Sequence, residues 1–302
     1  MKKEITSKLL YALAMFMYGT TGCLFRFTSL PAGLLVLLRA VIGVIFLIIF
    51  MVITRKKPNI EAIKKNVWWL ILSGLSIGLN WIFLFEAYNN TTVANASLIN
   101  YLAPALFIVV SPLIFKEKLP IYKLIFVFIA LLGVFLVSGF FKLDGDSSLK
   151  GIILSILASL GYLGILIFNK KQTNVPPIDK VIIELSSACI VMLPYALFTT
   201  NFSELVINLD TVLYVLVFGI ILTGVAYILY LGPMEKMESI HIAILSYVEP
   251  VASVLLSFIV LHEDLTIYSI IGGIMILGST LLCEIIKDKK EKSEEINNEC
   301  EE

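Results

Sequence analysis

The chain has 302 residues, 59% hydrophobic and 15% charged, with 23 basic and 23 acidic side chains and no net charge. Average soluble chains are roughly 45–50% apolar and about 25% charged, so this composition, with a mean hydropathy of +0.94, excludes an ordinary soluble domain. No surplus of basic charge points to a nucleic acid. Lys2, Lys3 and Lys8 precede an apolar run, but no small-x-small cleavage site follows, and the run reads as a retained span rather than a signal peptide. A membrane helix needs roughly 20 mostly apolar residues. Ten such segments are predicted. The first five are Leu9–Phe27, Leu34–Ile53, Val67–Tyr88, Val93–Phe115 and Ile121–Phe140. The second five are Leu149–Phe168, Val181–Thr199, Val212–Leu231, Ile240–Leu261 and Ile267–Ile286. The linkers are short and polar, as in Asn89-Asn90-Thr91-Thr92, Asp144-Gly145-Asp146 and Val175-Pro176-Pro177. Residues 287–302 are charged and predicted to be a disordered cytoplasmic tail.

Lys and Arg fix the expected orientation. With the N-terminus inside, 19 of the 23 basic residues fall in inner segments and three, Arg26, Lys142 and Lys150, in outer ones, while Arg39 lies within a helix. The expectation is a multi-pass plasma-membrane protein with both termini cytoplasmic. Its surroundings are the lipid bilayer.

Shifting the chain by 146 residues aligns its halves from Gly78 to Tyr122 with nine identities in 45 positions. Tyr101 meets Tyr247, Pro104 meets Pro250, Ser111 meets Ser257 and Glu117 meets Glu263. Residues 1–145 and 146–286 are therefore read as two copies of a five-helix unit. Five is odd, so the second copy enters the membrane inverted. The basic Lys116-Glu117-Lys118 loop has its counterpart in His262-Glu263-Asp264, which has lost both lysines. The predicted fold class is all-α integral membrane, ten transmembrane helices as two inverted five-helix repeats. Inverted repeats recur in secondary transporters, where two halves expose a central site to either side in turn.

In each half a Pro-containing helix is followed by Glu-x-Leu: Tyr101-Leu102-Ala103-Pro104 to Glu117-Lys118-Leu119, and Tyr247-Val248-Glu249-Pro250 to Glu263-Asp264-Leu265. With Arg39 in the second helix, this pattern resembles the EamA type of the drug/metabolite transporter superfamily, over nearly the whole chain to about Ile286. The resemblance implies a ten-helix secondary transporter with a cavity between its halves, exporting or exchanging amino acids, related metabolites or drugs without ATP. Ala103 stands where the second copy has Glu249, so a role for that carboxylate is confined to one half.

There is no Gly-x-x-x-x-Gly-Lys phosphate loop, and no cofactor is expected. Cys23, Cys189, Cys283 and Cys300 form no CxxC or Cys/His cluster, so neither a disulfide framework nor a metal site is expected. Intramembrane charges are costly and mark candidate sites. Glu249, beside Pro250, is suited to a cationic or amino group or to a proton. Arg39 lies at a depth that permits a pair with Glu249, and is otherwise suited to a substrate carboxylate or to anchoring on backbone carbonyls or another helix. Polar and aromatic residues at middle depth supply the remaining candidates for a small-molecule site: Tyr18, Asn80, Trp81, Asn100, Tyr101, Tyr227 and Tyr247, with Asn95, Tyr162, His241 and Ser246 behind them. Glu184, Glu86 and Arg26 read as interfacial or structural, the last two as a pair. Glu117 and Glu263 read as openers of the helices that follow. Gly43 and Gly272-Gly273…Gly278 suit close helix contact, within the fold or in a homodimer. A membrane-embedded enzyme would need clustered His, Asp or Glu near an interface, which is missing, so the chain is not expected to be an enzyme. The reading is a secondary transporter, with export of amino-acid-like metabolites ahead of export of cationic drugs, and with protons as a candidate coupling ion.

Overall fold

A computed structural model describes residues 2–116, 121–138, 149–234, 237 and 239–301. Glu117, the Asp144-Gly145-Asp146 linker, Lys142 and Lys236 lie outside them. The described residues are helical, with no strand among them. The first half holds α1 (Lys2–Phe25), α2 (Ala32–Ile53), α3 (Ile60–Tyr88), α4 (Val93–Asn100), α5 (Ala103–Phe115) and α6 (Ile121–Val137). The second holds α7 (Leu149–Lys171), α8 (Pro177–Thr199), α9 (Leu209–Leu216), a π-helical segment (Val217–Val225), α10 (Ala226–Met234), α11 (Ser239–Ser246), α12 (Val248–Val260) and α13 (Ile267–Glu301).

Among the described residues, seven segments are long and apolar enough to cross a membrane, and Ile121–Val137, Ile244–Val260 and Ile267–Cys283 are apolar but shorter. The large apolar side chains on the outside, such as Leu113 at 81% and Phe198 at 89% exposure, face where lipid would lie. The last helix does not end near Ile286. It continues to Glu301 through the segment predicted to be disordered. Glu and Lys are good helix formers, and a helix already nucleated in an apolar segment extends at little cost.

Two predicted spans are interrupted at equivalent places. The fourth breaks into α4 and α5 at Tyr101, with φ −73° and ψ 6°, and the ninth into α11 and α12 at Tyr247, with φ −73° and ψ −8°. A proline follows each break by three residues, and it has no N–H to give to the carbonyl four residues earlier, on Asn100 and Ser246 respectively. Both halves also stop alike: Lys116 after α5 and His262 near the end of α12 adopt left-handed φ values of 58° and 54°. A duplicated sequence has thus kept a duplicated backbone irregularity.

The packing brings α3 against α7 and α8, α2 against α8 and the π-helical segment, α1 against α10 and α12, and α6 against α13. The α6–α13 contact needs glycine on both sides. A Cβ on Gly133 would lie 2.6 Å from the Gly272 carbonyl oxygen, and one on Gly272 2.5 Å from that of Gly133. Without a hydrophobic drive between helices in lipid, such backbone approach is what holds them together.

One end of the bundle is joined by polar contacts between connectors. The Asn59 N–H donates to Asp179 Oδ2 at 2.8 Å, and Asn66 exchanges hydrogen bonds with the Thr173 backbone. The opposite end is joined through Glu263. Its Oε1 accepts from Arg26 at 3.1 Å; its Oε2 accepts from the backbone N–H of Val93 at 2.8 Å and from Ser257 Oγ. Two expectations are corrected here. Glu263 caps the N-terminus of α4 rather than opening α13, whose first turn is capped by Thr266. Arg26 pairs with Glu263 and not with Glu86, which instead accepts from the Tyr195 hydroxyl at 2.9 Å. Free N–H groups at a helix N-terminus attract a carboxylate from any part of the chain that can reach them.

Gly272→Val should separate α6 from α13 and destabilise the protein by about 1–3 kcal/mol, the usual scale of overpacking. Gly278→Ala, where an added Cβ meets nothing within 4 Å, should be near neutral; melting temperatures in detergent check both.

Candidate functional site

A cavity of about 680 Å³ lies between the halves. Eight of the nine residues expected at the site line it: Tyr18, Arg39, Asn80, Trp81, Asn100, Tyr101, Tyr227 and Glu249. The ninth, Tyr247, does not. Its hydroxyl donates to Thr280 Oγ1 at 2.7 Å, toward α13. Ser246 and Glu249, on either side of the break, line the cavity, while Tyr247 at the break turns its hydroxyl away. Of the secondary candidates, Tyr162 and Ser246 line the cavity. Asn95 instead accepts from Ser269 Oγ at 3.0 Å, and the Lys8 ammonium lies 3.1 Å from His241 Nε2.

The break at Tyr247 changes what Glu249 is. It stands in the first turn of α12, where the helix dipole favours a carboxylate, rather than in mid-helix. The Tyr101 phenol is within hydrogen-bonding reach of that carboxylate. A Cβ on Gly19 would lie 2.6 Å from the Glu249 carbonyl oxygen, so α1 is pressed against the same turn. Tyrosines crowd the space in front of it. The rings of Tyr18, Tyr227 and Tyr230 stand 5.9–6.5 Å apart, and Tyr101 and Tyr162 meet edge to face at 6.2 Å. The Tyr18 hydroxyl is buried with no hydrogen-bond partner among the described residues.

Arg39 is 3% exposed. Its Nε donates to Thr223 Oγ1 at 3.1 Å, its Nη2 reaches the Leu222 carbonyl at 3.5 Å, and the guanidinium lies 4.0 Å over the Trp81 ring. Both polar partners belong to the π-helical segment, where Thr223 in turn donates to the Phe218 carbonyl at 2.8 Å. Inserted π turns are frequent at functional sites. Here the irregular turn offers acceptors to a buried cation. Arg39 therefore anchors α2 to that segment, and no ion pair joins it to Glu249 among the described residues. Asn80 donates to the Asn100 side chain at 2.9 Å and to the Ala158 carbonyl at 2.8 Å, tying α3 to the α4–α5 break.

Thr21, Tyr88, Asn169, Lys180 and Tyr230 also line the cavity and were not singled out from the sequence as site candidates. Tyr230 carried a signal, since it lies three residues from Tyr227 on one face. Glu184, read as interfacial or structural, is 3% exposed and lines the cavity. Val175 and Pro177 of the α7–α8 connector also line it, so the cavity reaches the lysine-bearing end. At the opposite end Arg26, Thr92 and Glu263 border a separate cavity of about 670 Å³. Among the described residues no group of three His, Cys, Asp or Glu stands where it could hold a metal ion.

A membrane protein of duplicated sequence with a polar, aromatic cavity at its centre is the architecture of a carrier. The EamA-like transporter family model matches residues 6–139 and again residues 149–284, and the chain belongs to that family. It is 25% identical over 294 residues to the uncharacterized transporter YxxF of Bacillus subtilis (strain 168), covering 96% of this chain and 93% of that one. Protein PecM of Dickeya dadantii (strain 3937) is 23% identical over 229 residues, covering 73% of this chain and 75% of that one. A solved crystal structure that is 19% identical shares the fold, with a TM-score of 0.62 over 93% of this chain and 98% of that chain.

Because the Tyr18 hydroxyl has no partner, Tyr18→Phe should leave the melting temperature unchanged or raise it. Thr223→Val should lower stability by about 1–3 kcal/mol, since it strips a hydrogen bond from a buried cation. Thermal melts of the two variants against the parent check both.

Proposed function

We propose that this protein is a secondary active transporter that exports small zwitterionic metabolites, amino acids or related compounds, by alternating access. One observation carries the reading: Glu249 and Arg39 line one cavity between the halves without pairing to each other. An acid and a base held apart in a low-dielectric cavity match the ammonium and the carboxylate of one small molecule. A volume of about 680 Å³ falls in the usual range for small-molecule sites.

The duplicated breaks at Tyr101 and Tyr247 fit ten spans in two inverted repeats. In such carriers, interrupted helices in corresponding positions of the two halves frame the site. The cavity reaches the lysine-bearing end while Glu263 closes the other. With that end cytoplasmic by the positive-inside rule, the cavity is loaded from inside the cell across the plasma membrane, and release requires the Glu263 contacts to part. A second reading, export of cationic compounds, draws on the tyrosine rings around Glu249, since a cation over an aromatic face is stabilised by the ring quadrupole.

The test is ligand-dependent thermal stabilisation of the purified protein with amino acids, polyamines, cationic drugs and nucleotide sugars. A ligand at 100 times its Kd stabilises the folded state by about 2.7 kcal/mol. A zwitterion that raises the melt of the parent and is lost in both Glu249→Gln and Arg39→Gln supports the first reading. A cation lost only in Glu249→Gln supports the second. Retention of every hit in Glu249→Gln rules out both.

A further inference from the structure

Glu184 is the acidic group in the cavity that the reading above leaves without a role. It sits on α8, 3% exposed. Its Oε1 accepts from Gln172 Nε2 at 2.9 Å, and no ion pair reaches it among the described residues. Gln172 comes from the α7–α8 connector. The same Nε2 lies 3.1 Å from Asn169 Oδ1 and 3.5 Å from the Trp69 carbonyl. Three acceptors surround that nitrogen, so the amide cannot be turned over without setting oxygen against oxygen. In this orientation Gln172 Oε1 is buried and has no hydrogen-bond partner among the described residues.

A buried acceptor left empty beside a carboxylate is unusual, because buried polar groups are nearly always satisfied. A carboxylic acid and a primary amide can satisfy each other with two parallel bonds, N–H to one carboxyl oxygen and O–H to the amide oxygen. The first bond is present, and a carboxyl proton on the other oxygen would supply the donor for the second. We propose that Glu184 and Gln172 form a proton-binding site in the cavity wall, distinct from Glu249, at which a proton on Glu184 Oε2 donates to Gln172 Oε1. Loading takes a proton from hydronium and leaves water, and unloading is the reverse. The proposal rests on the transporter reading only for what the site is for, namely carriage of a coupling proton.

Lys180, one turn earlier on the same helix, and Tyr227 and Tyr230 on α10 are the titratable groups that act on Glu184. From α3 it meets the neutral Ser73, which donates to Asn169 Oδ1 of α7 at 3.0 Å. Arg39 of α2, which also packs on α8, is turned to the π-helical segment.

The experiment is pH-difference infrared spectroscopy of the purified full-length protein in detergent, reading the carboxyl C=O stretch as pH falls. Glu184→Gln should lose one component of that band. Gln172→Met should keep it at a shifted frequency, because the bond from the carboxyl to the amide is gone. Glu249→Gln should leave this component in place. If Glu184→Gln fails to fold, the Gln172→Met shift decides alone. A band unchanged in Glu184→Gln, or a frequency unmoved by Gln172→Met, overturns the site; so does the absence of a titrating component, which would mean that Lys180 keeps the carboxylate charged. The spectra need no transported ligand. Loss of the component with no hit in the ligand panel would therefore sink the transporter reading and not this one, and hits with an unchanged band would do the opposite.

Discussion

Hydrocarbon offers no hydrogen bonds, and much of this structure follows from that constraint. A backbone can be irregular at membrane depth only where protein or a water-filled cavity supplies partners. The chain interrupts its helices at Tyr101 and Tyr247 and widens one into a π turn at Val217–Val225. Residues beside all three irregularities line, or bond to residues that line, one cavity. Asn100 and Ser246, whose carbonyls lose a helical donor to proline, both face it. The π turn supplies Thr223 and Leu222 to Arg39. Irregular backbone and buried charge thus satisfy one another, and the cavity is where they meet.

The two ends of the molecule differ in how they are held. At one, Glu263 joins α1, α4 and α12 through three donors on three segments. Beneath it, Phe25, Phe85 and Tyr88 pack as a buried aromatic group. At the other, the α7–α8 connector is pinned to α3 but leaves the cavity reaching past it. One carboxylate serving several elements is the kind of contact that either holds entirely or parts entirely, which suits a bistable element.

The spans were largely legible because apolar runs of membrane length are a strong signal. Most of the lining of the candidate site was legible too, because polar groups in hydrocarbon are few and each needs a reason. Eight of nine expected residues share the cavity. The miss at Tyr247 and the misjudged Glu184 have one cause. A membrane helix is apolar nearly all round, so it lacks the amphipathic stripe that tells which face points inward. Depth can be counted along such a helix, but azimuth cannot. Near the end of a span, depth alone made Glu184 look interfacial, whereas its face of α8 turns it into the cavity.

By itself, the sequence determined that the chain lies in a membrane, where its apolar segments fall, and that its halves are duplicated down to Tyr-x-x-Pro and the Glu beyond it. Those properties are local or additive along the chain. The tertiary structure decided partnership. Glu263 caps a helix 170 residues away, Arg26 chooses Glu263 over Glu86, Arg39 docks on a π turn that no composition announces, and Gln172 reaches Glu184 with its oxygen left over. Such pairings depend on helix rotation and on backbone approach at contacts like Gly133–Gly272, and packing in three dimensions sets both.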